Sequence, residues 1–460
     1  MSTNWLVSLA LMTSTAVAAA GQEPPTKLFQ EWSRGHIHSL DSGDRTSNDS
    51  DLESVRNIIG NAQVIALGEP LHGAHEPLAL RNRLIRYAVN RLNLRAVALE
   101  TDLTYSQRLY NYVLGKNAET DSALKDAFTL GFGEYPENLA LLHWLREHNA
   151  TEPAERQVHL YGVDLSGQFY PYAFRSVEAV LRFLERTDPA LSGDLRKQYA
   201  EVISEFRSDK YPKLQQANKN AITGKIQDLV AILRRERLSL IGTSSKDEYD
   251  WALRQAINAA QDDAFLRSLP AEFGDAEHIH ELPYLAKRNE QWEHNHEMRE
   301  VAMASNVDWV YQRERERGKI LFFAHDVHVQ TDVAMFGSPM HPQIWPVQQS
   351  QMAGNFLRSV LGSRFVVIGI HFANGRDFPP SDEPLRPDTN GIDALLASAS
   401  EPEYIIDLRE LPSSGPLHEW FNAPHETRGL GSGKETRMEA PLKAYDAILF
   451  IDIITPTPTR

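Results

Sequence analysis

Residues 62–76, AQVIALGEPLHGAHE, decide the fold. The first half is a short apolar run of the kind buried as a strand covered on both faces. Gly68-Glu69 breaks the run, and His72, His75 and Glu76 follow at once. The next stretch, HEPLALRNRLIRYAVNRLN, repeats Leu80, Leu84, Ile85, Ala88 and Val89 at helical spacing. A second apolar run, LRAVALE (94–100), then completes a βαβ unit. Its titratable groups stand at the first strand-to-helix turn, where α/β enzymes place their ligands.

Similar runs recur as VHLYGVD (158–164), KILFFAHDVHV (319–329), RFVVIGIHF (364–372), EYIIDL (403–408) and AILFIDII (447–454). Near-continuous hydrophobics interleaved with helical patterns predict an α/β fold, a three-layer α/β/α core with a mostly parallel sheet. Between about 170 and 300 there is no strand run, only long amphipathic segments such as RSVEAVLRFLERT and NAITGKIQDLVAILRRERLSLI. This predicts a helical subdomain inserted in the core. The expected division is a signal segment at 1–20, the first part of the core at 30–168, the helical insert at 169–300 and the second part of the core at 301–460.

The 460 residues carry a net charge of −15, with no local Lys/Arg cluster to offset it, which argues against a nucleic-acid partner. There are no cysteines, so disulfides, thiolate metal sites and cysteine nucleophiles are excluded. An apolar stretch from Trp5 to Met12 leads to Ala18-Ala19-Ala20, which fits a small-residue cleavage site before Gly21. The stretch is too short to span a bilayer, so the expectation is export to the periplasm or medium without stable membrane insertion.

His72 is the natural proton acceptor near neutral pH, and Glu69, three residues before it, is placed to orient its ring. Glu100 ends a buried apolar run, which is costly unless the carboxylate is paired or functional, and it is expected to emerge beside the His72 turn. Arg81 lies next to the apolar stripe of its helix, within reach of a carboxylate or an oxyanion. His325 and His328 end another strand run and face the same cleft, while His75, Glu76 and Asp164 are expected around the substrate. The pairs His36/His38, His278/His280 and His294/His296 lie in polar surroundings and are expected to be solvated. No G-x-S-x-G nucleophile elbow occurs.

With these residues in place the chain resembles the erythromycin esterase family from about residue 60 onward. Gly68-Glu69-Pro70-Leu71-His72-Gly73-Ala74-His75-Glu76 is similar to the family's G-E-x-x-H-G-x-x-E, and Arg81 follows nine residues after the histidine. Ala98-Leu99-Glu100 is similar to its A-L-E, and His325 and His328 to its H-x-x-H. Arg299-Glu300-Val301-Ala302-Met303-Ala304-Ser305-Asn306 is similar to its R-[DE]-x-x-M-A-x-N. The resemblance implies a hydrolase without a cofactor, in which His72 activates water against a macrolide lactone or another ester. Glu69, Glu100, Arg81, His325 and His328 would then position water and stabilise the transition state, and Arg299 would stand among the substrate-binding residues. Two alternatives stand beside it. One is a metal-dependent hydrolase, since His72, His75, Glu76, Glu100, His325 and His328 exceed the ligands a catalytic zinc needs. The other is a cell-envelope protein that binds glycan or another ligand on the same fold.

Overall fold

A computed structural model describes residues 23–41, 49–166, 172–269, 271, 289–336, 348–376, 378, 385–387, 390–428 and 436–458. Among them the strands are β1 (His38–Ser39), β2 (Val64–Glu69), β3 (Leu94–Asp102), β4 (His159–Asp164), β5 (Lys319–His325), β6 (Ala334–Phe336), β7 (Gln348–Ser350), β8 (Phe365–Gly375), β9 (Glu403–Asp407), β10 (His425–Arg428), β11 (Thr436–Glu439) and β12 (Ala447–Ile454). An eight-stranded sheet runs in the order β1-β9-β12-β8-β2-β5-β3-β4. The strands from β12 to β4 are parallel, and β9 and β1 close one edge antiparallel.

Alternate residues of the central strands enter different cores, which is why their sequences read as unbroken apolar runs. Ile65, Leu67, Val97, Leu99, Leu321 and Phe323 pack with Leu80 and Leu84 of helix His75–Arg91. Val64, Ala66, Ala96, Ala98, Ile320 and Phe322 face the other way, onto Met303, Val307 and Val310 of helix Asn289–Glu314. The sheet is thus the middle of three layers, as expected.

Between β4 and β5 the described chain is helical. Helices Phe174–Thr187, Gln216–Arg235 and Lys246–Ser268 share a separate core that includes Val177, Leu181, Leu184, Ile226, Leu229 and Ala256. The Ser245 side chain caps the last of these, and Asp188 caps the following helix Pro189–Gln198 in the same region. Helix Asn289–Glu314 runs without a break through position 300, where the sequence suggested the insert would end. The expected signal segment and His278/His280 lie outside the described residues.

Three features were not foreseen. β5 lies between β2 and β3, so Glu100 meets the His72 turn across His325 rather than from the neighbouring strand. The run 319–329 divides at His325, whose Nδ1 accepts the Val327 N–H at 3.3 Å and caps a helical turn, Asp326–Val329. A second sheet, β10-β11-β6-β7, is built from strands of three or four residues, too short to give a period in the sequence.

Candidate active site

The site forms where β2 and β5 end side by side, with Glu69 in register with His325. Gly68 makes this junction possible. A Cβ there would lie 1.7 Å from Asp326 Oδ1, and that carboxylate in turn accepts the Ile370 N–H at 3.0 Å. Gly73 then turns the chain at φ +77°, with a Cβ position 3.1 Å from the Tyr135 ring. Between these glycines His72 Nδ1 lies 2.6 Å from Glu69 Oε2. A proton on Nδ1 donated to the carboxylate leaves Nε2 as the basic nitrogen. The ring packs on Phe132 at 4.8 Å and edge-on to His325 at 5.1 Å, and keeps a quarter of its side-chain surface open to solvent. Burial pulls the imidazole pKa down, but the Glu69 and Glu100 carboxylates outweigh it, and the net shift is upward from 6.5.

Glu100, buried at the end of β3, accepts the His325 backbone N–H at 2.8 Å. Its other oxygen takes a 2.9 Å bond from Arg299 Nη2 and lies 3.3 Å from His328 Nε2. Arg299 also forks onto Asp164 at 3.0 and 2.7 Å. Burial opposes the Glu100 charge, yet His328, His72 and Arg299 hold the carboxyl well below 4.5. His328 Nδ1 is 2.8 Å from Glu300 Oε1, a charge contact outside linear hydrogen-bond geometry. Against the pull of burial, Glu300 and Glu100 push His328 up to about 9.

His325 is the opposite case. Burial, then the neighbouring His72 and His328, hold its pKa well below 6.5. With Nδ1 accepting from Val327, its proton sits on Nε2, a buried donor with no hydrogen-bond partner among the described residues. Arg81 is fully buried, bound to Asn82 Oδ1 at 3.1 and 2.8 Å and stacked over Phe323 at 4.7 Å. Burial lowers its pKa only to about 10, so it stays charged. It does not bond Glu69 directly. Arg81, Glu69 and Glu100 instead line a cavity of about 20 Å³ behind the turn, room for one water molecule.

The remaining sequence candidates are placed otherwise. Both Glu76 oxygens are held by Thr455, from its N–H and its hydroxyl, each at 2.7 Å. His75 contacts Glu137 at 2.5 Å, and its N–H donates to the Thr455 carbonyl at 2.8 Å. Glu76 and His75 therefore fasten the segment after β12 over the turn, and the structure does not bring them into the carboxylate–imidazole cluster. Asp164 and Arg299 join that cluster as a buried support.

Residues not singled out from the sequence also contribute. Glu300 braces His328 and accepts the Ala353 N–H at 3.0 Å. His296, expected in solvent, stacks on His328 at 6.1 Å, and burial lowers its pKa to about 4. The His296/Glu300 spacing of four on one helix was the available signal. Phe132 and Tyr135, which wall the cavity, left none.

The donors offered to a metal are partly engaged by a fixed cation. Arg299 stands 2.9 Å from Glu100 and 3.1 Å from His328 Nε2. Among the described residues no group of three or more His, Asp or Glu side chains has a metal-binding arrangement.

An imidazole base backed by a carboxylate, at the carboxyl edge of a parallel sheet, is the equipment of a hydrolytic enzyme. The erythromycin esterase family model matches residues 89–454, and the chain belongs to that family, a group of hydrolases. The matched span starts later than the resemblance read from residue 60, after the β2 turn. YbfO of Bacillus subtilis (strain 168), named as a candidate hydrolase, is 20% identical over 98% of this chain and 96% of its own. Erythromycin esterase type II of Escherichia coli is 28% identical over 35% of this chain and 37% of its own. Among solved structures, a Bacillus cereus protein superimposes with a TM-score of 0.74 at 22% identity, covering 95% of this chain and 99% of its own. A mutant erythromycin esterase in its open conformation gives 0.64 at 15% identity, covering 92% and 98%. These similarities show the same fold.

Proposed function

We propose that this hydrolase cleaves a carboxylic ester or lactone, with His72 as general base. Water attacks the carbonyl while His72 Nε2 takes its proton, and Glu69 steadies the imidazolium that forms. The His325 Nε2–H donates to the developing oxyanion, a site worth most where water is excluded. The imidazolium then returns the proton to the leaving alkoxide, so an ester gives acid and alcohol and a lactone gives one hydroxy acid. Glu100, Arg299 and His328 fix the cluster, and Arg81 supplies positive charge beside the cavity. The observation that carries this reading is the 2.6 Å His72–Glu69 contact beside a His325 donor that has no hydrogen-bond partner among the described residues.

A macrolide lactone such as that of erythromycin is the substrate the family suggests first. Incubation with a macrolide and ester panel, read by mass spectrometry, tests it. A product heavier by one water supports the reading, and an unchanged panel opposes it. Export is proposed on the Trp5–Met12 run and Ala18-Ala19-Ala20. A mature N-terminus at Gly21 supports it, and an intact Met1 opposes it.

A further inference from the structure

The carboxyl edge of the sheet carries a second opening that this chemistry does not use. After β3 and β4 the chain enters helices Leu103–Val113 and Phe174–Thr187. A pocket of about 450 Å³ opens between their starts and the 125–134 segment, lined by Tyr105, Phe128, Tyr172 and Arg175. It adjoins the site directly. Phe128 also lines the small cavity with Glu69 and Glu100, and the pocket wall includes Gly131 and Gly133, which flank the Phe132 packed against His72.

The Arg175 guanidinium lies against two tilted rings, 4.3 Å from the Tyr105 centroid and 4.1 Å from that of Tyr172, with the two centroids 5.9 Å apart. The other cations lining the pocket are committed, Arg108 to Glu119 at 2.8 Å and Lys125 to Glu134 at 2.7 Å. Among the described residues the Arg175 guanidinium has no hydrogen bond or ion pair; Asp102 and Glu178 act on it only at longer range. The rings meet the group by cation–π contact, and its planar fork of N–H donors matches a carboxylate. Two acids, Asp126 and the Lys125-paired Glu134, also line the pocket, which suits a ligand with a single negative group better than a polyanion.

We propose that Arg175 binds one carboxylate of the substrate, so that this enzyme selects esters or lactones that carry an anionic group one pocket away from the scissile bond. The proposal rests on the ester-hydrolase reading for what the carboxylate is attached to. It also parts company with a macrolide bearing only a basic sugar, which would leave Arg175 unused.

Monoethyl and diethyl adipate test it, since they differ in one carboxylate. Hydrolysis of each by wild type, Arg175→Met and Arg175→Lys is followed by proton release, and adipate binding by calorimetry. The wild type should favour the monoester in kcat/KM. The ratio of monoester to diester should fall at least tenfold in Arg175→Met and less in Arg175→Lys, with adipate binding lost in Arg175→Met. An unchanged ratio, or no adipate binding by the wild type at millimolar concentration, overturns the proposal. Adipate binding that depends on Arg175 without hydrolysis of any ester would support the anion site and overturn the hydrolase reading instead. Thermal unfolding of the variants excludes a loss of fold as the cause.

Discussion

Replacing Arg299 by Met removes one buried cation and little volume. Arg299 gives two bonds to Asp164 and one to Glu100, at 3.0, 2.7 and 2.9 Å, and all three side chains are sealed from solvent. The variant leaves the Asp164 carboxylate in the interior without its counter-charge and Glu100 with only the neighbouring histidines. Breaking a buried pair in this way costs about 3–5 kcal/mol, and the near-equal volume of Met keeps the packing part of the loss small. Urea unfolding at pH 7, followed by tryptophan fluorescence, measures it. The pH dependence has a definite sign. The Glu100 carboxyl is held well below 4.5 in the folded protein. Its contribution is therefore present above the unfolded carboxylate range and is lost as pH falls through the folded value. The deficit of Arg299→Met should be largest above pH ~5 and shrink in acid. Adding Asp164→Asn to the variant should recover about 1 kcal/mol or more, because one stranded charge is gone. A loss below about 1 kcal/mol at pH 7, or a deficit that grows in acid, refutes the claim that these charges hold the site together.

The kcat/KM profile should rise with pH from below 6.5 upward, because the carboxylates around His72 raise its pKa and only the neutral ring accepts a proton. Glu69→Gln removes the main raising charge, so its acid limb should move to lower pH while the plateau falls; an unmoved limb would remove Glu69 from this role. Gly68→Ala forces a methyl group to within 1.7 Å of Asp326 Oδ1. It should cost about 1–3 kcal/mol or more and displace the His325–His328 turn, as read by calorimetry and activity. Wild-type stability and turnover in that variant would show that the junction is looser than described.

What the sequence revealed followed from physical period. Strands buried on both faces leave unbroken apolar runs, so the seven runs quoted above all correspond to strands of the sheet. The Glu69–His72 pair was legible because its members are three residues apart in one turn. The order of strands was not. Nothing local tells β5 to insert between β2 and β3, and so the bond from the His325 N–H to Glu100 was out of reach. Glu76 looked like a site residue because it shares the turn with His72, but its partner, Thr455, is 379 positions away. Glu300 stands next to Arg299 within the quoted motif, and adjacent residues on a helix do not face each other, so nothing local joins both to one partner. Here the short Asp326–Val329 turn brings His328 to both: Arg299 Nη1 is 3.1 Å from Nε2, and Glu300 Oε1 is 2.8 Å from Nδ1.

The central claim is that His72 Nε2 takes the proton from the attacking water. The measurement that tests it most directly is kcat/KM for ester or lactone hydrolysis by His72→Ala, with circular dichroism showing an intact fold. The account predicts a loss of roughly 10²–10⁴. A folded variant within a few-fold of the wild type would contradict it.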